Sequence, residues 1–202
     1  MPADASSREP VRSRARRALR AEITAQALGL FSERGFDAVT ADELAEAVGV
    51  SRRTLFRLFA TKEDIVVAAF DSLGDEAVAA LRERPAEEPP WPALRRALGT
   101  AVDRLEQRPA TFFELHDVIA LTPALRRRVL EQRDGWRAAF AVELAARAPG
   151  AKKKLACELM AAAAIVAFDV ATEIWARSAG RRRLSTLLDE SFERLGSGLA
   201  GQ

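Results

Sequence analysis

Three arginines, Arg52, Arg53 and Arg57, stand within six residues of the stretch TADELAEAVGVSRRTLFRLFATK, residues 40 to 62. A guanidinium presents a planar fork of N–H donors that matches guanine O6/N7 or a phosphate. The surrounding residues read as two short helices joined by a tight turn. Thr40 can cap the first, with Glu43 at the reciprocal capping-box position. Leu44 and Val48 give that helix a buried stripe, and Gly49 lies where the chain must turn sharply. Ser51 caps the second helix by accepting from an orphan backbone N–H. At about 100° per residue, Leu55 and Phe59 share the core face of that helix. Arg53 and Arg57 fall on the opposite face with Phe56 beside them, and Arg52 sits on a flank. Three arginines on an isolated helix are an ordinary solvated face. Two caps, a turn glycine and a cationic face in this order within 23 residues read as a DNA-binding helix-turn-helix.

The elements that position this motif follow from hydrophobic spacing. Residues 1 to 12 read as a disordered arm. A helix runs from about Arg14 to Arg34, with Leu19, Ile23, Ala27, Leu30 and Phe31 at helical spacing. Thr61 caps a longer helix toward Arg84, broken near Gly74. PAEEPP, residues 85 to 90, is a helix-stopping loop. Further helices are expected near 91–107, 109–121 and 123–148, with Pro109 and Pro123 in first turns. Pro149-Gly150 ends that series, and helices near 151–179 and 183–199 follow. The reading is all-α, with nine or ten helices. A helix-turn-helix domain covers 13–62 and a helical ligand-binding and dimerisation domain covers 63–202.

Residues 23 to 66, ITAQALGLFSERGFDAVTADELAEAVGVSRRTLFRLFATKEDIV, resemble the DNA-binding domain of the tetracycline-repressor (TetR) family of bacterial transcription regulators. The matching residues are Ile23, Ala27, Leu30, Phe31, Gly35 and Phe36, then Val39, Thr40, Ala45, Gly49, Val50, Ser51, Thr54, Leu55, Phe59, Lys62 and Glu63. The resemblance implies an all-helical homodimer with an N-terminal reading head. It places positions 52, 53 and 56 at bases and positions 40, 54, 57, 58 and 62 at phosphates. The candidate DNA-binding residues are therefore Thr40, Ser51, Arg52, Arg53, Thr54, Phe56, Arg57 and Lys62. The chain departs from the family pattern at Phe56, where tyrosine is usual, and at Leu58, where tyrosine or histidine is usual. Two polar contacts to DNA are thereby lost. Phe56 retains a face for a thymine methyl, Leu58 is expected to pack inward beside Leu55, and Arg53 adds a cation.

Composition narrows the remaining functions. The chain has 202 residues, one histidine and one cysteine. That argues against His/Cys metal sites, a disulfide framework and a histidine-dependent triad. No Gly-rich phosphate loop appears, so neither enzyme nor cofactor is expected. The N-terminus has no apolar run of the signal-peptide kind. The longest apolar run, Leu159 to Phe168, is ten residues, too short to span a bilayer. A cytoplasmic protein with no membrane partner is the expectation. Residues 1–62 carry 11 Lys/Arg against 8 Asp/Glu, and residues 63–202 carry 20 against 21. Six arginines against two acids in the first twenty residues make a basic arm, read either as a solvated tail or as a backbone or minor-groove contact through Arg12 to Arg20.

The C-terminal half carries the expected partner and effector surfaces. Helix 151–179 is apolar on two sides. Leu155, Leu159, Val166 and Val170 lie on one face, and Cys157, Ala164, Phe168 and Trp175 on the other. Such a helix needs two covers, its own core and a second subunit. The last helix adds the stripe Leu184, Leu187, Leu188, Phe192 and Leu195, and the expected dimer interface is built on it. The resemblance also implies a small-molecule pocket among the middle helices. Candidate lining is Phe112, Phe113, His116, Trp136, Phe140, Met160 and Phe168, with Trp91 and Trp175; each also reads as plain core. Asp169 and Glu173, acids in an apolar helix, need an internal arginine or a ligand donor as partner. Residues 121–147 resemble the C-terminal domain of actinobacterial regulators that sense acyl-CoA-like or other bulky apolar molecules. The function so implied is a repressor released from a palindromic double-stranded operator by a mostly apolar effector. The alternative is a helical protein-interaction adaptor that uses the arginine helix as a charged contact.

Overall fold

The computed structural model describes residues 11–147 and 151–198. Among the described residues there are nine helices and no strand. They are α1 (Val11–Arg34), α2 (Ala41–Ala47), α3 (Arg52–Leu58), α4 (Lys62–Arg82), α5 (Pro90–Glu106), α6 (Pro109–Leu121), α7 (Pro123–Arg147), α8 (Ala151–Arg177) and α9 (Leu184–Gly196). The arm expected over 1–12 lies outside the described residues except for its last two positions, which open α1. The Pro149-Gly150 stop also lies outside them. The chain divides into two compact units, residues 1–69 and 70–202, with the division inside α4.

The first unit is organised by aromatic and aliphatic side chains that converge from every helix. Ile23, Ala27 and Phe31 of α1 are buried, as are Leu44 and Ala45 of α2 and Leu55 and Leu58 of α3. Phe36, Val39, Phe59, Ile65 and Val66 complete this core, and the Phe31 and Phe36 rings sit 5.0 Å apart. Each of the larger side chains contributes about 1.5–3 kcal/mol when fully buried, so helices of seven residues, too short to hold alone, are held by tertiary packing. Leu58 is buried, as its position beside Leu55 required.

In the second unit α8 packs against α5, α7 and α9. Prolines begin three helices, at Pro90, Pro109 and Pro123, where a missing N–H is no loss. The 85–90 loop is held from α7: Arg147 donates to the carbonyl oxygens of Leu81 at 3.0 Å and Glu88 at 3.3 Å, and to that of Pro85. The break expected near Gly74 is absent, and α4 runs unbroken from Lys62 to Arg82. Gly74 is there for space, since a Cβ at this position would meet the Trp136 indole.

One surface expectation also changes. The α9 stripe does not wait for a partner. Leu184, Leu187, Leu188 and Phe192 are buried within the chain itself and Leu195 is half-buried. The cover comes from α8 and α5, and α5 meets α9 through Trp91, through Arg95, which pairs with Asp189, and through Glu106, which accepts from the Ser185 N–H at 3.1 Å. Trp91 belongs to the same contact, donating to the Phe192 carbonyl at 3.1 Å with its ring 4.4 Å from that of Phe192. The uncovered apolar face is the outer one expected on α8: Leu155, Leu159, Val166 and Val170, joined by Ile174, are exposed, Leu155 by 68% and Val166 by 53%. Residues 153–177 of α8 are also long and apolar enough to cross a membrane, which the ten-residue run did not reveal because Glu158 and Asp169 bound that run while the residues beyond them are again mostly apolar. Its inner face, with Cys157, Ala161, Ala164, Phe168, Ala171 and Trp175, is core of the second unit.

Candidate functional site

The reading helix α3 is set by its flanking loops. At the start of α2 the Thr40 hydroxyl accepts from the Glu43 N–H at 3.3 Å, and the Glu43 carboxylate accepts from the Thr40 N–H at 2.8 Å. Arg34, in the last turn of α1, donates to the same carboxylate at 2.6 Å. These donors, Arg34 first and Thr40 after it, hold the Glu43 carboxyl at about 2. At α3, Ser51 Oγ accepts from the Thr54 N–H at 3.2 Å, and its hydroxyl donates to Thr54 Oγ1 at 2.9 Å. Gly49 takes φ +67° between the helices, where a Cβ would strain the backbone. A reciprocal cap also starts α4, between Thr61 and Asp64 at 3.0 and 3.2 Å.

What α3 presents to solvent is Arg52, Arg53, Phe56 and Arg57, all exposed, with Leu55 and Leu58 turned inward. Arg52 is bound to Asp42 of α2 at 2.9 Å and lies 5.5 Å from the Phe56 ring. Among the described residues Arg53 and Arg57 have no ion-pair partner. Ser51 and Thr40 are exposed and Thr54 is half-buried, each engaged in its cap.

Lys62 stands differently from its expected role. Its ammonium donates to the carbonyl oxygens of Phe36 at 2.6 Å and Val39 at 3.0 Å, and lies 4.1 Å from the Phe36 ring centroid. It closes the loop after α1. Arg20, part of the arm expected to follow DNA, points inward: it donates to the Leu58 carbonyl, with its guanidinium 4.4 Å from the Phe59 ring centroid. Neither inward contact had a local sequence signal, because the acceptors lie 23 to 38 residues away.

The candidate effector residues form two clusters. In one, Phe112 and Phe113 of α6 pack on Trp175 of α8, both pairs at 4.8 Å between centroids. His116 lies beside Phe112 and its Nε2 is 2.9 Å from Glu173 Oε2. Glu173 also accepts from Arg177 at 2.8 Å. The His116 contact first, then Arg177, keeps its carboxyl below the usual range. In the other cluster Trp136 of α7 meets Phe168 of α8 at 5.9 Å. Between them sits a residue that the sequence reading did not single out, Arg133. Its guanidinium is 4.0 Å from the Trp136 ring centroid and 4.8 Å from that of Phe168, and its Nε donates to Asp169 at 2.9 Å. Asp169 thus has the internal arginine its setting demanded. Burial pushes its carboxyl upward, opposed by the Arg133 charge. Burial also lowers Arg133, which stays charged at neutral pH. Phe140 is fully buried in the core and Met160 half-buried. Arg133 could have been suspected from its i, i+3 spacing to Trp136.

Comparison with known proteins follows the same division. Residues 23–69 match the family model for bacterial regulatory proteins of the tetR family, and residues 88–200 match that for the MftR C-terminal domain. The chain is 30% identical over 143 residues to the HTH-type transcriptional regulator TcmR of Streptomyces glaucescens, covering 68% of this chain but 63% of that one. It is 29% identical over 177 residues to MftR of Mycobacterium tuberculosis, described as a mycofactocin biosynthesis transcriptional regulator, covering 88% and 89%. The fold is that of FadR from Bacillus subtilis, solved in complex with stearoyl-CoA, at a TM-score of 0.59 and 18% identity over 88% of this chain and 97% of that one. With its head and more than half of its length matched by these models, the chain belongs to the tetR family of bacterial regulatory proteins.

Proposed function

We propose that the chain is a cytoplasmic, homodimeric repressor that binds a near-palindromic double-stranded operator and is released by a small, mostly apolar effector. The observation that carries the DNA-binding part is the pair Arg53 and Arg57, solvent-facing on a short helix whose cap and inner face are fully committed to the head. A cation without a local partner, on a rigid helix, is available to a base edge or a phosphate. Arg52 is the more restrained of the three, since Asp42 already holds it. Phe56 supplies an apolar contact. Lys62 and Arg20 support the reading by fixing the loops around α3.

Dimerisation is supported by the α8 face. Five exposed large apolar side chains on one helix form a contiguous patch of the kind that marks a protein partner. A palindromic operator calls for two-fold symmetry. The effector reading is supported by two aromatic clusters, each with an acid, and by FadR, of the same fold and solved with a ligand, stearoyl-CoA; at 18% identity that supports a ligand-holding fold and not the class of ligand.

Selection of binding sites from random duplex DNA, followed by titration at several salt concentrations, tests the proposal. Half-sites are expected about one turn apart, roughly 34–36 Å. Affinity should fall with a log–log slope of about −0.9 per phosphate neutralised. Arg53→Ala should cost roughly 1–3 kcal/mol and relax preference at one base pair. Failure to enrich any sequence would favour the adaptor reading.

A further inference from the structure

The side chain of Arg133 is 13% exposed and makes one hydrogen bond to Asp169, through Nε. Its Nη1 is buried and has no acceptor. A guanidinium serving only to neutralise a carboxylate normally offers it two parallel N–H groups. In this chain one edge serves Asp169 and a second donor is left in an aromatic setting made by Trp136 and Phe168. Buried donors are nearly always satisfied, so an orphan of this kind calls for a partner. We infer that Arg133 is the polar anchor of the effector site, and that the effector is an uncharged, flat, mostly apolar molecule carrying a carbonyl oxygen. This rests on the ligand-responsive reading above.

Charge decides the class. Asp169 already balances Arg133. A carboxylate or phosphate would bring a second anion beside a single cation in apolar surroundings, which such surroundings disfavour. A neutral carbonyl accepts from Nη1 and leaves the balance unchanged. The acceptor of an Nη1–H bond lies in the guanidinium plane, beside the Trp136 and Phe168 rings, and aromatic side chains favour a flat guest there.

Three probes of one shape separate these terms: 9-fluorenone, fluorene and fluorene-9-carboxylate, titrated calorimetrically into the full chain. Fluorenone should bind about tenfold tighter than fluorene, the worth of one buried hydrogen bond, and tighter than the carboxylate. In Arg133→Met/Asp169→Leu, which replaces the pair by apolar groups, the fluorenone advantage should fall to about one while fluorene still binds. Asp169→Asn keeps the anchor and guards against misfolding of the double variant. It should retain the fluorenone preference and bring the carboxylate up to or beyond fluorenone. The site is overturned by any of four results: wild type that does not bind fluorenone, an advantage surviving the double substitution, its loss in folded Asp169→Asn, or wild type preferring the carboxylate. Duplex binding measured on the same samples keeps the readings apart. Arg133-dependent fluorenone binding by a chain that binds no selected duplex sinks the repressor and keeps the site. Duplex binding relieved by a small molecule without Arg133 dependence does the reverse.

Discussion

Gly74 of α4 lies directly against the indole of Trp136 from α7, so close that a methyl group at position 74 would occupy the ring's own space. Two effects of opposite sign meet at this residue. Replacing a mid-helix glycine by alanine gains about 1 kcal/mol of helix propensity. Forcing the indole away costs roughly 1–3 kcal/mol of packing, and the ring cannot yield easily because Phe168 and Arg133 also press on it. Gly74→Ala is therefore expected to be net destabilising in wild type. In a Trp136→Leu background, where the space exists, it should be neutral or stabilising. Urea denaturation of the four proteins in this cycle checks the sign change.

The Glu43 carboxyl is held at about 2 against an ordinary value of 4.5, chiefly by Arg34 and Thr40. A carboxyl depressed in the folded state contributes stability that is fully present above its unfolded value and lost as pH falls through the folded one. The head should therefore lose this contribution between about pH 4.5 and pH 2. Glu43→Gln, which keeps the shape but not the charge, should show a shallower loss over the same window. Parallel thermal melts of the two proteins across that range give the comparison. Curves of equal slope would mean that Arg34 and Glu43 do not interact in solution.

Lys62 donates to two loop carbonyls, so its loss should register as stability. Lys62→Met leaves both acceptors short of a donor in a part-buried place, which costs about 1–3 kcal/mol. The expected result is a lower denaturation midpoint, with the log–log salt slope of duplex binding changed by less than one unit. A slope flattened by about one, with the midpoint unchanged, would return Lys62 to the phosphate-contacting set.

Local rules made the head legible. The caps at Thr40 and Ser51 depend on residues within three positions, and the inward Leu55, Leu58 and Phe59 follow from helical spacing. Prolines marked the starts of α6 and α7 for the same reason. Long-range contacts were not legible. The spacing of Arg133 to Trp136 is local, but the arginine still looks solvated until α8 brings Asp169 and Phe168 against it. Gly74 reads as a helix breaker until Trp136 arrives. Most instructive is α9, whose stripe is the same whether its cover is α8 and α5 of the same chain or another subunit. Nothing in the spacing of α9 says where its partner lies.

That last distinction sets the final prediction. Leu188 is fully buried within the chain, whereas Val166 is 53% exposed on the uncovered face of α8. Aspartate at either position is unfavourable only where water is excluded. Leu188→Asp buries an unpaired carboxyl in the subunit core whatever the oligomeric state, a loss of several kcal/mol, and should abolish cooperative folding. Val166→Asp leaves the subunit solvated at that position and should keep full helicity, yet place the same charge inside a dimer formed through α8. It should sediment as a monomer at concentrations where wild type is a dimer. Its operator affinity should then collapse with α3 untouched, because a second head joined through the dimer binds at an effective concentration that a free head lacks. Sedimentation equilibrium with circular dichroism on all three proteins decides between the faces. A folded, monomeric Leu188→Asp beside a dimeric Val166→Asp would move the interface back to α9, and a monomeric wild type would remove it from both.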